Sequence, residues 1–536
     1  MTQASPVHVF TRAASRASRF GGILTTAIMP ALASAQVLPR VDQTGPFQNA
    51  PWCVIHESQA ALGTGGPLPV SGVSNETEPN DTAATANVIT VDLGTRFQVL
   101  GDIVNGRDED WCRVALAQGD IVQFFARGVG ATGVFPAVGV YDASVSIQLY
   151  AVTSSSASAV PPAAPFLSSA TESTAMRASE SAMTWIVPAT GDYLFQLLAD
   201  QPTSSGAYEL NFTRVRPGLE SAIPGSKQII FLDFDGADVA LADPFDPTLT
   251  PDSTLTPLAG FLPLWGLAPT DENAVIDAIQ AQITGNLLAV QALNPSFAFE
   301  VRNSRDNADP FGQPFVTRLV IGGTIAELGI NLIGIAQSID VGNFETAETA
   351  FILLDLMSDQ SSVASLNVVP RDPGFSMISA IGRAVGTVAS HELGHVLGCF
   401  HTESVAAGVN MTRSVMDRGS MMFPVDSYGV GPDGVLGTAD DEVVPYAVDE
   451  YSINEVVRLG SEPTGLLVAA ALSTPAGCVG DINGDGFVDG ADIAIILNAF
   501  GSVSNGPTAG PADLNRDGVV DGADLAVVLN AFGPCP

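Results

Sequence analysis

Eleven consecutive residues constrain this chain more than any others: His391-Glu392-Leu393-Gly394-His395-Val396-Leu397-Gly398-Cys399-Phe400-His401. On a helix, His391 and His395 lie one turn apart on the same face. Two imidazoles so placed can grip one Zn²⁺ at about 2.0–2.1 Å each. Glu392 sits beside them, within reach of a metal-bound water. Gly398 lets the chain leave the helix, since glycine takes left-handed dihedrals without a Cβ clash. The turn then brings in His401 as a third ligand. Three protein ligands leave one position open, which separates a catalytic from a structural zinc. Chance explains the pattern poorly, because the chain has five histidines and three of them fall in this window.

Downstream, Ser414-Val415-Met416-Asp417-Arg418-Gly419 forms a short turn carrying a methionine. Together the two segments resemble the metzincin clan of zinc endopeptidases, which pair the extended histidine signature with a Met-turn. The resemblance implies that Met416 packs beneath the metal, with Met421 and Met422 as competitors. It implies a zinc peptidase in which Glu392 is the catalytic residue. Glu392 would take a proton from water as general base and return it to the leaving amine as acid. A second oxyanion donor is expected, and Tyr428 is a candidate. Cys399, inside the motif, is expected to be a buried thiol rather than a ligand. No cysteine-switch pro-peptide of the clan is recognisable.

At 536 residues the chain is too long for one core, so two to four domains are expected. Its 21 basic against 57 acidic residues give a net charge of −36, with Lys227 the one lysine. That sign argues against nucleic acid as a partner and suits divalent cations. Residues 1–35 read as a signal peptide: Arg12, Arg16 and Arg19, then an apolar run, then Ala33-Ser34-Ala35. No later stretch is apolar enough for a membrane span. Residues 36–74 are rich in proline and glycine and read as linker or pro-region.

Residues 75–215 read as a β-sandwich. Tyr208-Glu209-Leu210-Asn211-Phe212 alternates as a half-buried strand does, and 121–125 and 192–197 are similar. A Ser/Ala-rich insert near 153–182 is expected to be a mobile loop. Glu78-Pro79-Asn80-Asp81, Asp108-Glu109-Asp110-Trp111 and Gly191-Asp192-Tyr193 resemble the pre-peptidase C-terminal type of β-sandwich found beside secreted bacterial proteases. That resemblance implies an accessory module without catalytic residues.

Residues 218–465 are expected to be the metalloprotease domain, an α+β fold with a twisted mixed sheet backed by helices. Strands are expected at 228–234, 297–301, 318–321 and 350–354, the last as the sheet edge that faces substrate. Helices are expected from Asp271 to about Val290 with Thr270 as N-cap, from Ser376 to Leu397, and a closing one from about Asp449 to Leu459. The acidic, glycine-rich stretch 431–441 reads either as a calcium loop or as a solvated turn.

Residues 477–536 are a duplicated module. The run Asp481-Ile-Asn-Gly-Asp-Gly-Phe-Val-Asp-Gly-Ala-Asp492 recurs 32 residues later, ending at Asp524. Each run is followed by an apolar helix. Positions 1, 3, 5, 7, 9 and 12 match the EF-hand calcium loop, although position 12 is Asp rather than Glu. The calcium ligands are then Asp481, Asn483, Asp485, Phe487 (through its carbonyl), Asp489 and Asp492 in one loop. In the other they are Asp513, Asn515, Asp517, Val519 (likewise), Asp521 and Asp524. Ile493, Ile496, Leu497 and Phe500 form an apolar stripe behind the first loop. Two such loop–helix units resemble a dockerin domain, which implies a small α module that binds a cohesin-like or cell-surface partner. Cys478 and Cys535 bracket it and are expected to form a disulfide in an exported protein; Cys53 and Cys112 are a second candidate pair.

The sequence therefore points to a secreted zinc endopeptidase tethered by its carboxyl-terminal module. The alternative is a non-catalytic secreted surface or scaffold protein with a vestigial metal site.

Overall fold

The computed structural model describes residues 53–55, 68, 70–129, 134–151, 180–199, 203–222, 226–294, 296–360, 365–402, 413–417, 428–451, 458–474, 480–483, 487–501, 512–514 and 519–534. The expected signal peptide, Cys478, Cys535, Met421 and Met422 lie outside these residues.

The chain enters with a short strand, β1 (Cys53–Ile55), before a two-layer sandwich. Its strands are β2 (Val70–Asn75), β3 (Asn87–Ile89), β4 (Thr95–Ile103), β5 (Glu109–Leu116), β6 (Ile121–Gly128), β7 (Pro136–Asp142), β8 (Ile147–Ala151), β9 (Glu180–Ile186), β10 (Gly191–Ala199) and β11 (Gly206–Val215). One sheet runs β2-β4-β11-β6-β9; the other contains β8-β7-β10-β5-β3. Phe195 links the layers, meeting Phe124 and Phe212 edge-on with ring centroids 5.9 and 4.7 Å away. The strand expected around Tyr208–Phe212 is present, but both of its faces are covered. Glu209 is closed over by Arg127, at 2.9 Å, and by Asn211. Most of the Ser/Ala-rich insert lies outside the described residues, and its end belongs to β9.

The sheet that follows uses β12 (Gln228–Asp233), β15 (Phe299–Asn303), β16 (Val316–Ile321), β17 (Gly334–Ala336) and β18 (Thr349–Ile352), in the order β1-β17-β18-β16-β12-β15. A small hairpin of β13 (Asp238–Val239) and β14 (Ser253–Thr254) lies outside it. β18, β16, β12 and β15 run parallel to one another, and β17 and β1 run together in the opposite direction. Ile230, Phe231 and Leu232 are buried to both sides, as a central parallel strand requires. Helices α1 (Glu272–Leu288), α2 (Ile325–Leu328), α3 (Asp355–Ser358) and α4 (Met377–Val396) follow in chain order among these strands. α1 and α4 pack closely because Gly382 and Gly386 have no side chains. A Cβ on either would lie 2.6 Å from Ala278 Cβ or Gln282 Cβ.

Three expectations are corrected here. Of the closing helix expected at about 449–459, residues 452–457 lie outside the described residues, and the described ends are strands: β19 (Val448–Glu450) and the start of β20 (Arg458–Pro463). A helix follows as α5 (Thr464–Ala471). Every residue of α5 is buried, so it has no polar face and no amphipathic period to betray it. The domain thus runs past 465 to about residue 474, where Thr474 N–H donates to Ser296 O at 2.9 Å. β20 pairs with β8, so this segment extends the second sheet of the sandwich. The expected edge strand at 350–354 is interior; outside it lies β17, and the edge on that side is β1, paired in parallel with β17. Finally, α1 begins after Asp271, whose carboxylate accepts from Ala268 N–H at 2.8 Å, and Thr270 is not its cap.

The terminal module holds β21 (Phe487–Val488), α6 (Gly490–Ala499), α7 (Gly522–Asn530) and β22 (Gly533–Pro534), with β21 and β22 paired. Its core is small: Val488, Ile496, Ala512, Val520 and Val528. The expected stripe is only partly core, because Leu497 and Phe500 are more than half exposed.

Candidate metal centre

α4 delivers the site. Ser376 caps it by accepting from Ser379 N–H at 3.0 Å, and its last three turns are almost wholly buried. The helix closes through Gly398 N–H to His395 O and Cys399 N–H to Gly394 O, both 2.8 Å. Gly398 is required twice over. Its φ is +100°, and a Cβ there would fall 2.5 Å from Val341 Cα.

The turn brings His401 back over the helix. The Nε2 atoms of His391, His395 and His401 lie 3.1–3.2 Å from one another. Three donors at about 2.0–2.1 Å from one tetrahedral ion need separations of about 3.3 Å, so the triangle fits zinc. Protonation points the same way. His391 Nδ1 lies 2.7 Å from Val415 O, and His395 Nδ1 lies 2.8 Å from Cys399 O. Each Nδ1 must therefore carry its proton and donate, which leaves each Nε2 a bare lone pair. Two lone pairs facing each other at 3.2 Å repel unless a cation lies between them. Burial first, then the neighbouring His401 and His391, holds His395 far below the ordinary imidazole range, so it is neutral and ready to ligate.

Glu392 is buried beside the triangle. Its carboxylate rests on Gly334 of β17, where a Cβ would lie 2.0 Å from Oε1. Met416 lies under the helix, against Gly394, where a Cβ would meet its sulfur at 2.3 Å. The turn around it is pinned to the histidine segment. Thr402 N–H donates to Met416 O, and Thr402 Oγ1 donates to Asp417 Oδ1, both at 2.9 Å. Cys399 is buried and free, its thiol 3.6 Å from Thr464 O and pushed up by burial and then by Glu462. Tyr428 is fully buried, so its position gives no support for an oxyanion role.

Other expected sites fare unevenly. The carboxylates of 431–441 serve their own turn. Asp433 accepts from Val435 N–H, Asp440 from Asp433 N–H and Asp441 from Gly437 N–H and Arg383. Cys112 is a free buried thiol in β5, so the Cys53–Cys112 pair is not formed. In the repeats, Asp492 gathers the first loop by accepting from Ile482, Asn483 and Asp489 N–H at 2.6, 3.1 and 2.9 Å. Asp489 and Asp521 cap α6 and α7 through Ala491 and Ala523 N–H. Asp481, Asp513 and Asp524 are buried, Asn483 and Phe487 exposed and Val519 half-buried; Asp485, Asn515 and Asp517 lie outside the described residues.

One cluster escaped the sequence reading. In the sandwich, Glu76, Glu78 and Asp110 form one group of carboxylates, and Glu78, Asp81 and Asp108 another, each with oxygens within 4.8 Å. Asp110 Oδ2 is buried without a partner. With its amide nitrogen turned to the cluster, Asn80 donates to Asp110 Oδ1 and Glu78 Oε2 at 3.0 and 3.3 Å. Grouped carboxylates of this kind suit a hard cation. Without one, burial and then Glu76 push Asp110 up to about 9. The available signal was Glu-x-Glu-x-Asn-Asp at 76–81, with acids at 108 and 110.

No described helix is long and apolar enough to cross a membrane. No curated protein matches the chain. Among solved structures, the pre-peptidase C-terminal domain of collagenase from Bacillus anthracis is 12% identical and covers 26% of this chain and 100% of its own, at a TM-score of 0.17. The lysozyme inhibitor PliG of Aeromonas hydrophila is 13% identical, covering 27% and 97%, at a TM-score of 0.14. Residues 479–533 match the dockerin type I domain, a family of calcium-binding modules that dock onto cohesin partners.

Proposed function

We propose that this chain is a secreted zinc endopeptidase whose dockerin module tethers it to a scaffold or cell surface. The observation that carries the reading is the triangle of Nε2 atoms 3.1–3.2 Å apart with Glu392 beside it. His391, His395 and His401 would hold zinc, which when bound polarises the scissile carbonyl and acidifies water. Glu392 stands where it can take a proton from water and hand it to the leaving amine. Its burial keeps competing water away. The Val415 and Cys399 carbonyls fix the tautomers of two ligands, and Met416 supports the helix between them.

An extended peptide would bind beside Glu392 by pairing with β17 in place of β1. β1, which occupies that side of β17, comes from the stretch read as linker or pro-region. On this reading, maturation frees β17 by removing residues 53–55, and the uncleaved chain is latent.

The test is casein cleavage by purified mature protein, with and without a zinc chelator. Cleavage that the chelator stops and zinc restores supports the proposal. Bound zinc without cleavage favours the non-catalytic surface protein instead.

A further inference from the structure

The loop joining β17 to β18, residues 337–348, contains buried acid with no ion-pair partner among the described residues. Asp340 and Glu348 are 0% and 1% exposed. One oxygen of each is used inside the loop. Asp340 Oδ2 accepts from Glu345 N–H at 2.6 Å, and Glu348 Oε1 accepts from the Ser338 hydroxyl. The other two, Asp340 Oδ1 and Glu348 Oε2, have no hydrogen-bond partner. A third oxygen in the same loop, Asn343 Oδ1, is also buried and unpartnered, while its amide nitrogen donates to Gln228 Oε1 and Ala471 O. Among the described residues, no ion pair reaches Asp340 or Glu348. The two carboxylates sense one another: burial, and next the charge of Asp340, raises the Glu348 carboxyl.

Bare carboxylate oxygens are costly in a protein interior, and buried charges are paired or coordinate a metal. We infer that Asp340, Glu348 and Asn343 form a structural site for one calcium ion in the β17–β18 loop. The donor set is all oxygen, which suits a hard cation and excludes zinc's preference for nitrogen and sulfur. Two carboxylates balance a divalent charge. Calcium fits better than magnesium because it accepts irregular geometry and sheds water readily.

The position gives the ion a task. Asp340 N–H donates to His395 O at 3.3 Å, and Val341 lies against Gly398, where a Cβ would fall 2.5 Å from its Cα. Gly218 N–H donates to Gly342 O at 2.7 Å, which ties the loop to the segment leaving the sandwich. One ion would therefore brace β17, the exit of α4 and the domain junction together. This site is separate from the dockerin loops and from the sandwich cluster, and it stands whether or not the protein cleaves peptides.

The experiment is hydrogen exchange on the full-length chain, stripped of divalent ions and then titrated with Ca²⁺ or Mg²⁺ at fixed zinc. Peptides covering 334–352 should exchange at least tenfold more slowly with Ca²⁺ and little changed with Mg²⁺. In Asp340→Asn/Glu348→Gln that slowing should vanish while peptides from 480–534 still respond, and calcium per chain should fall by about one. If 334–352 ignores Ca²⁺ in the wild type while 480–534 responds, the inference fails; this arm stands even if the variant does not fold. It also fails if the variant keeps the wild-type calcium stoichiometry, or if its hairpin is as protected without calcium as the wild type's is with it. That last result would mean the pair shares a proton instead.

Discussion

Replacing Gly334 with alanine should injure catalysis without touching a ligand. A Cβ at this position would lie 2.0 Å from Glu392 Oε1, 2.6 Å from Cδ and 2.9 Å from Cγ, against an ordinary contact of 3.4 Å or more. The carboxylate or the strand must then move by roughly 1.4 Å, since Glu392 is buried and has no open solvent to swing into. A misplacement of about 1 Å costs on the order of 10²-fold in rate, or about 2.7 kcal/mol of transition-state stabilisation. Overpacking this buried contact also costs stability, about 1–3 kcal/mol, so Tm should fall while the chain still folds. The assay is kcat/KM on a casein-derived peptide, with zinc content and melting temperature measured on the same preparation. The expected result, below the melting transition, is about a hundredfold loss of kcat/KM at full zinc occupancy. Wild-type activity in Gly334→Ala would refute the placement of Glu392 as the reacting base.

His401→Ala should lower zinc occupancy, because two imidazoles hold the ion far less well than three; metal analysis showing full stoichiometry would place the third ligand elsewhere. A fragment of residues 477–536 should take up about two Ca²⁺ and gain helix, since so small a core is marginal without metal; calorimetry with no uptake would contradict it. Calcium-free protein should lose stability as pH rises. Asp110 binds its proton more tightly folded than unfolded, so the unfolded state releases it first, between the ordinary carboxylate value of 3.8 and about 9. Calcium at the sandwich cluster, or Asp110→Asn, should flatten that slope in thermal melts, and an unchanged slope would argue against the cluster.

What could be read from the sequence was local. Ser376, the histidine spacing and Gly398 each act within a few residues, and α4 starts and stops where they imply. Long apolar strands such as β11 and β12 also announced themselves. β17 did not, because Gly334-Ile335-Ala336 is too short for a period and owes its place to its partners β1 and β18. α5 was hidden by being buried all round, and β20 by pairing with a strand some 300 residues earlier in the chain. In the acidic sandwich cluster, Glu76 follows β2 and Asp110 lies in β5, so the acids at 76–81 and at 108–110 become one group only in the fold. The support for Glu392 by Gly334 is of the same kind, a contact between distant parts of the chain.

The central claim is that Glu392 moves the proton at a zinc held by three histidines. Glu392→Gln tests it most directly, assayed beside the wild type for zinc per chain and casein cleavage. Zinc should be unchanged, since the ligands are intact, and cleavage reduced by about 10²–10⁴-fold. Cleavage at the wild-type rate by the zinc-loaded variant would contradict it.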